Sequence, residues 1–297
     1  MADHPQLRGE LREREPMAHH VSWRAGGCAD RAYFPADLDD LRAFIASRPA
    51  TEPLHFVGLG SNLLVRDGGL RGTVVLTQHA LKALRLEGDT IYAEAGVPSP
   101  KVARFAAANG FEGAEFLAGV PGTVGGALAM NAGCYGGETW NIVEAATTLD
   151  RAGRLHRRIG LDYSIGYRRV QLQTGDEEWF VAARFRLPRG DTAKAVAMIK
   201  QFLERRMATQ PLDQPNAGSV FRNPPGKHAA QLVEACDLKG RAIGDAMISG
   251  KHANFIVNLG AARAADIEAL IELAEQAVRD KFGIALEREV RIVGEPA

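Results

Sequence analysis

The sequence predicts an α+β protein, on three observations. Turn-bounded strand patterns run through the first 190 residues with only a few helical segments among them. Helical spacing then takes over, in two long amphipathic runs. Strand patterns bracket the last of those runs, so the C-terminal part is mixed as well. The Pro-Arg-Gly-Asp turn near residue 190 divides the chain into an N-terminal domain over 21–190 and a C-terminal domain over 191–297. Residues 1–20, polar at their start, are expected to be loose.

In sequence order, RAYF reads as a strand and DLDDLRAFIAS as a helix opened by Asp37, whose carboxylate can take an unpaired N–H of the first turn. LHFVG and LLV are strands on either side of GLGSN, and the turn RDGG leads into the strand TVVLT. LKALRLEG and TIYAEAG form a hairpin about Gly88–Asp89. SPKVARFAAANG is a helix with Ser99 as N-cap and Gly110 past its end. IVEAATTLD and RLHRRI meet at the turn RAG, and EWFVAARFRL is a long strand. In DTAKAVAMIKQFLERRMA, Val196, Ile199 and Leu203 share a helical face; in ADIEALIELAEQAVRDKFG, Ile267, Leu270, Ile271, Ala274 and Val278 do. NFIVNLG and EVRIVG are the strands that bracket this last helix.

Bulk composition excludes several classes of function. The 297 residues are 46% hydrophobic and 24% charged, and 36 basic residues balance 36 acidic ones. A neutral protein argues against a surface built for nucleic acid or acidic lipid. Three cysteines, Cys28, Cys134 and Cys236, stand far apart without a C-x-x-C pair, so neither a metal site nor a disulfide framework is expected. The charged N-terminus lacks a signal-peptide core, and no run of eighteen apolar residues occurs. A reducing cytoplasm is the expected compartment, with no membrane and no obligate protein partner.

Two glycine-rich loops carry the first chemical signal. In VGLGSNLLVRDGGLRG (57–72), glycines after a strand let backbone N–H groups converge on an anion, with Ser61 and Asn62 as further donors. The loop is neither a P-loop nor a Rossmann turn: no G-K-[S/T] follows, and Gly58-Leu59-Gly60 leads into a strand. In the second loop, seven of the nineteen residues from Gly119 to Gly137 are glycine, which suits a flat, extended ligand lying against backbone. Either loop alone also fits an ordinary tight turn; two in one mixed domain point to a dinucleotide. The stretch NAGSVFRNPP holds Ser219, which has no G-x-S-x-G elbow and no local histidine, so a hydrolase nucleophile is not indicated. The same hydroxyl in a turn or cap would do no chemistry.

GLGSNLLVRDGGLRG, AGVPGTVGGALAMNAGCYGGE, GYRRV, NAGSVFRNPPG, KHANFIVN and EREVRIVGE, in that order, resemble the UDP-N-acetylenolpyruvoylglucosamine reductases from about Ser22 to Glu295. The resemblance implies a vanillyl-alcohol-oxidase-type FAD-binding domain of two lobes, about 21–78 and 79–190, with a substrate-binding domain after it. It also implies the shorter class, which lacks an extra tyrosine-bearing loop. Non-covalent FAD would be held by Gly58, Leu59, Gly60, Ser61, Asn62 and Leu63, and by Gly119, Pro121, Gly122, Thr123, Gly125, Gly126, Asn131 and Ala132, with Arg206 and Arg291 near the flavin or its phosphates. NADPH would be the reductant and UDP-N-acetylglucosamine enolpyruvate the substrate, touched by Tyr135, Asn223 and Lys227.

The implied chemistry adds a hydride to the enolpyruvyl terminal carbon, which pushes charge onto the carboxylate, and a proton to the adjacent carbon. Arg168 matches the family's arginine, and its forked donors suit a carboxylate that gains charge. Glu289, in Glu287-Arg288-Glu289-Val290-Arg291, matches the second stabiliser and would act as a neutral acid, which needs a desolvating setting. Ser219 matches the proton donor, where held geometry matters more than acidity. The sequence departs from the family pattern at Val170, where a small polar residue is common, and at Thr209, where lysine is common. Two rivals stay open: another flavin oxidoreductase of the same fold with a different small substrate, and a nucleotide-binding protein without catalysis.

Overall fold

The computed structural model describes residues 7–297; the first six residues of the expected loose segment lie outside them. From residue 10 that expectation is corrected. Glu10–Pro16 is a strand and Met17–His19 a short 3-10 turn, with Met17 fully buried. The strand lies at the edge of a four-stranded sheet, beside Cys28–Phe34, then Leu70–Leu76, then Leu54–Val57. Its charged sequence, ELREREP, suits an edge, where lysine, arginine and glutamate discourage pairing with other proteins.

The protein forms two compact units. The first comprises the described part of Met1–Arg12, with Ala32–Leu59 and Thr73–Glu204. The second comprises Glu13–Arg31, Gly60–Gly72 and Arg205–Ala297. The division therefore falls between Glu204 and Arg205 rather than near residue 190, and two early segments belong to the second unit.

In the first unit, an antiparallel sheet runs Leu155–Arg158, Val143–Asp150, Glu178–Arg186, Thr90–Glu94 and Leu84–Glu87, so both expected hairpins form. Helix α1 (Leu38–Ala46) begins as expected, with Asp37 Oδ1 accepting from Asp40 N at 2.9 Å. Helix α2 (Ser99–Ala108) is capped by Pro98 instead of Ser99; Ser99 is its first residue, and its buried hydroxyl meets no partner. Helix α3 (Val124–Met130) lies inside the second glycine loop, where no helix was expected. Val102, Ala106, Val124 and Leu128 of α2 and α3 join Ile91, Ala146, Ala183 and Phe185 of the sheet in one core. Ile199 and Leu203 of α4 (Thr192–Thr209) reach the same core, but Val196 is 52% exposed and Ala195 takes its place. Leu54–Val57 pairs in parallel with Leu70–Leu76, from Leu54 opposite Thr73 to Val57 opposite Leu76. That pairing delivers the backbone directly into Gly58.

In the second unit, α5 (Ala229–Ala235) and α6 (Ala264–Phe282) cover a small antiparallel sheet of Ala242–Ile243, Ala246–Ile248 and Ile256–Asn258. Ile267, Leu270, Ile271, Ala274 and Val278 are all buried, the face that the spacing predicts. Asp67 accepts from the N–H groups of Ala264 and Ala265 at the start of α6, and Gly283 closes the other end in the left-handed region at φ 67°. Leu63–Val65 pairs in parallel with Arg291–Val293.

The RAG turn rests on Asp150. Burial pushes the Asp150 carboxyl up, but hydrogen bonds from His156, from Arg154 backbone and side chain, and from Ala152 N outweigh it and hold it down to about 2. A carboxyl held below its ordinary 3.8 stabilises the fold above that pH and loses its contribution as pH falls through about 2. Asp150→Asn is therefore expected to melt below the unchanged protein at neutral pH, with the gap closing between pH 3.8 and about 2 in thermal scans. A gap that stays constant over that range would show that the ionised carboxylate does not matter to the turn.

Candidate functional site

In the first loop, a Cβ on Gly58 would overlap the Thr123 hydroxyl, so only glycine lets these two segments approach. Thr123 is 2% exposed and its Oγ1 has no hydrogen-bond partner. Over Gly126 the space is open, with Thr123 Oγ1 at 4.0 Å the nearest atom to a Cβ. Gly122 takes φ 139°, which L side chains rarely adopt, and Pro121 is exposed beside it. A buried hydroxyl without a partner costs stability unless a ligand completes it. The neighbouring Val124 N and Gly125 N are already committed, to Val97 O and Ala95 O at 2.9 Å. The polar cradle is thus Thr123 and the glycines around it. Leu59 lies exposed at the loop's crest.

Gly60 to Leu63 belong to the second unit. Gly60 stands at φ 63°, its C=O accepting from Ser22 N at 3.2 Å. Asn62 Nδ2 donates to Glu289 O at 3.1 Å, and Asn62 O accepts from Arg291 N at 3.0 Å. Leu63 lies opposite Arg291 in the parallel pair. The loop, Glu289 and Arg291 are thereby one hydrogen-bonded set. The Arg291 residue itself is exposed, and Ser61 is half-buried.

Ser219 joins the same set. Asn216 Oδ1 accepts from Gly218 N at 2.9 Å, and Gly218 turns the backbone at φ 75°. Immediately after Ser219, Val220 O accepts from Glu289 N at 2.8 Å and from Val290 N at 3.3 Å. Ser219 and Glu289 are both half-buried on these adjacent segments. Asn223 Oδ1 accepts from Ala229 N at 3.1 Å at the start of α5, and Lys227 is exposed on the connecting turn. Arg206, near the end of α4, donates from Nε to Gln210 Oε1 at 3.0 Å. His252 packs edge-on to Phe255 at 4.7 Å, and burial pushes its imidazole below the ordinary value, as a packing residue should behave.

Arg168 belongs to the first unit, at the tip of a hairpin of Tyr163–Gly166 and Arg169–Leu172 that the sequence patterns did not reveal. It takes φ 55°, uncommon for a non-glycine residue and a place where strain and function often coincide. Its Nη2 donates to Gly133 O at 2.9 Å and its Nη1 to Asn131 O at 3.5 Å, so the second glycine loop orients the guanidinium. Val170 is half-buried against the core behind it.

Within that loop several of the expected contact residues also bond to other parts of the protein. Asn131 is buried at φ 41°; both amide hydrogens are engaged, by Glu138 at 2.9 Å and Gly166 O at 3.3 Å, and its Oδ1 accepts from Trp140 N at 3.1 Å. Ala132 donates to Ala127 O and accepts from Thr139 N and Oγ1. Both shape the loop. Tyr135 stacks on Phe202 at 4.3 Å and donates to Phe202 O at 3.0 Å, and its ring covers Gly119, where a Cβ would come within 2.6 Å of it. Glu138 is the residue here that pattern reading missed; a lone acid in a glycine loop gives no signal until Asn131 is seen to need it. No group of three or more His, Cys, Asp or Glu residues suited to a metal occurs among the described residues. No helix among them is long and apolar enough to cross a membrane.

Comparison with known proteins is consistent with this geometry. Residues 29–158 match the family described as FAD binding domain, and residues 210–293 the family described as UDP-N-acetylenolpyruvoylglucosamine reductase, C-terminal domain. The protein is similar to the UDP-N-acetylenolpyruvoylglucosamine reductase of Thiobacillus denitrificans, at 56% identity over 98% of this sequence and 94% of the relative. That of Alkalilimnicola ehrlichii is also 56% identical, over 97% of this sequence and 96% of the relative. Among solved structures, the enzyme of the same name from Thermus caldophilus superposes with a TM-score of 0.81 at 32% identity, covering 96% of this protein and 98% of that one.

Proposed function

The chain belongs to the UDP-N-acetylenolpyruvoylglucosamine reductase family, and from that premise we propose that Arg168, Ser219 and Glu289 are its catalytic residues. The protein is an FAD-dependent oxidoreductase that reduces UDP-N-acetylglucosamine enolpyruvate to UDP-N-acetylmuramate with NADPH, for peptidoglycan precursor synthesis. A nucleotide-sugar substrate and NADPH suit a reaction carried out in the cytoplasm.

FAD fits the residues present. The unpartnered Thr123 hydroxyl and the open glycine surface at Gly126 suit a flat ligand with polar edges, lying against Gly58, Leu59, Gly119, Pro121, Gly122, Thr123 and Gly125. When bound and reduced by NADPH, the flavin supplies the hydride for the enolpyruvyl terminal carbon. Arg168, whose Nη1 and Nη2 donate to Asn131 O and Gly133 O, opposes the charge that grows on the substrate carboxylate. Glu289 is the second stabiliser of that carboxylate. Ser219 gives its proton to the adjacent carbon, which completes the lactyl ether. The observation that carries this reading is the bond from Glu289 N to Val220 O, which sets the proton donor and the acid on paired neighbouring segments.

The purified protein is expected to be yellow, to release FAD on denaturation, and to be bleached by NADPH in the absence of oxygen. A colourless protein that takes up no FAD would support the non-catalytic reading instead. Thr123→Val tests the cradle separately. Losing one hydrogen bond to a ligand is expected to weaken FAD binding by about tenfold, ~1.4 kcal/mol, while the FAD-free protein melts no lower than before, since its buried hydroxyl had no partner. Unchanged FAD affinity would remove Thr123 from the cofactor site.

A further inference from the structure

We infer that Asn254 is a positioning residue for the reaction, acting through Ser219; the inference rests on the reading of Ser219 above. Asn254 is 4% exposed and spends three hydrogen bonds on the two residues that follow the serine. Its backbone carbonyl accepts from Val220 N at 2.9 Å. Its side-chain Oδ1 accepts from Phe221 N at 2.9 Å, and its Nδ2 donates to Phe221 O at 2.8 Å.

A neighbouring strand bonds the N–H and C=O of alternate residues and leaves the next residue facing away. Here the Asn254 amide serves as a second peptide group, so that consecutive residues are held from one side. On the other side, Val220 O accepts from Glu289 N and Val290 N. The Val220 peptide is thus fixed at its N–H by Asn254 and at its C=O by the segment carrying Glu289. Upstream, Gly218 N is fixed by Asn216. Ser219 stands between two anchored residues, and its hydroxyl inherits their direction. A proton transfer to carbon by so weak an acid depends on distance and angle, and a displacement of about 1 Å costs on the order of 10²-fold in rate. Phe221 is itself buried, so no solvent replaces the amide if it is removed.

The test compares Asn254→Asp, which keeps the acceptor for Phe221 N and loses the donor to Phe221 O, with Asn254→Ala, each in the FAD-loaded protein and each also combined with Ser219→Ala. Anaerobic stopped-flow absorbance follows flavin reduction by NADPH and then reoxidation by UDP-N-acetylglucosamine enolpyruvate. The expected result is reduction within about twofold of the unchanged protein and reoxidation slowed about 10²-fold for Asn254→Ala, with a smaller loss for Asn254→Asp. In the Ser219→Ala background the same changes should have little further effect, because the group they position is gone. If Asn254→Ala does not accumulate folded, Asn254→Asp alone decides. Equal losses in both half-reactions, or equal losses with and without the serine, would overturn the inference while leaving the site reading intact. If Ser219→Ala alone leaves reoxidation unchanged, the site reading fails and this inference fails with it.

Discussion

Ser219→Ala is expected to bind FAD and to be reduced by NADPH at a rate near that of the unchanged protein, while reoxidation by the enolpyruvyl substrate falls by about 10²–10⁴-fold, the usual range for a lost general acid. The separation follows from position. Ser219 lies on the segment paired with Glu289, and its hydroxyl is needed only after the hydride has left. Alanine keeps the backbone bonds on both sides: Val220 N to Asn254 O, Val220 O to Glu289 N, and Gly218 N to Asn216. The fold and the melting temperature should therefore change little. Turnover that survives the substitution would show that another group, or water, protonates the carbon.

Arg168→Ala is the second large effect, a loss of about 10²–10³-fold in the oxidative half-reaction, typical of removing one stabiliser of developing negative charge. Two of the guanidinium's donors are committed to Gly133 O and Asn131 O, so the arm is aimed before substrate arrives. Lysine carries the charge but cannot bond two loop carbonyls and a carboxylate in one plane. Arg168→Lys should therefore remain well below the unchanged protein, and its shortfall should appear in kcat rather than in flavin reduction. Rates close to normal for Arg168→Lys would mean that charge alone is required and that the anchoring to the glycine loop has no catalytic consequence.

Much of this architecture was legible because local chemistry and tertiary packing agree. The apolar spacing of Ile267 to Val278 is the face that α6 buries, and Asp37 caps α1 as its side chain allows. Where the reading failed, a distant partner decided the outcome. ELREREP looks like a solvated tail, yet its neighbour in the sheet, Cys28–Phe34, lies well beyond any local window. VGGALAM carries two helix-weakening glycines, and its helix is set by bonds to Val97 and Ala95 from another segment. Ser99 is a favoured cap residue by type, but Pro98 already occupies the position and leaves Ser99 inside the first turn.

The site divides in the same way. Motifs named Arg168, Ser219 and Glu289, whereas their supports were hidden. The left-handed backbone at Arg168, Asn131 and Tyr135 has no glycine to announce it. Asn131, which the resemblance places among the cofactor residues, also bonds three neighbours through its amide. Tyr135, which the resemblance sets near the substrate, also stacks on Phe202. Residue type signals chemistry; which atoms remain available for it is settled by folding.

This flavoprotein passes its reducing equivalents to an enolpyruvyl ether. The direct measurement is anaerobic: the protein is bleached with one equivalent of NADPH, then mixed with UDP-N-acetylglucosamine enolpyruvate, with lactate or a simple alcohol as comparison. Flavin absorbance is expected to return with the enolpyruvyl nucleotide alone, and UDP-N-acetylmuramate to appear in equal amount. Absorbance that stays bleached until oxygen is admitted, or an oxidised flavin that is bleached by lactate or an alcohol, would contradict it.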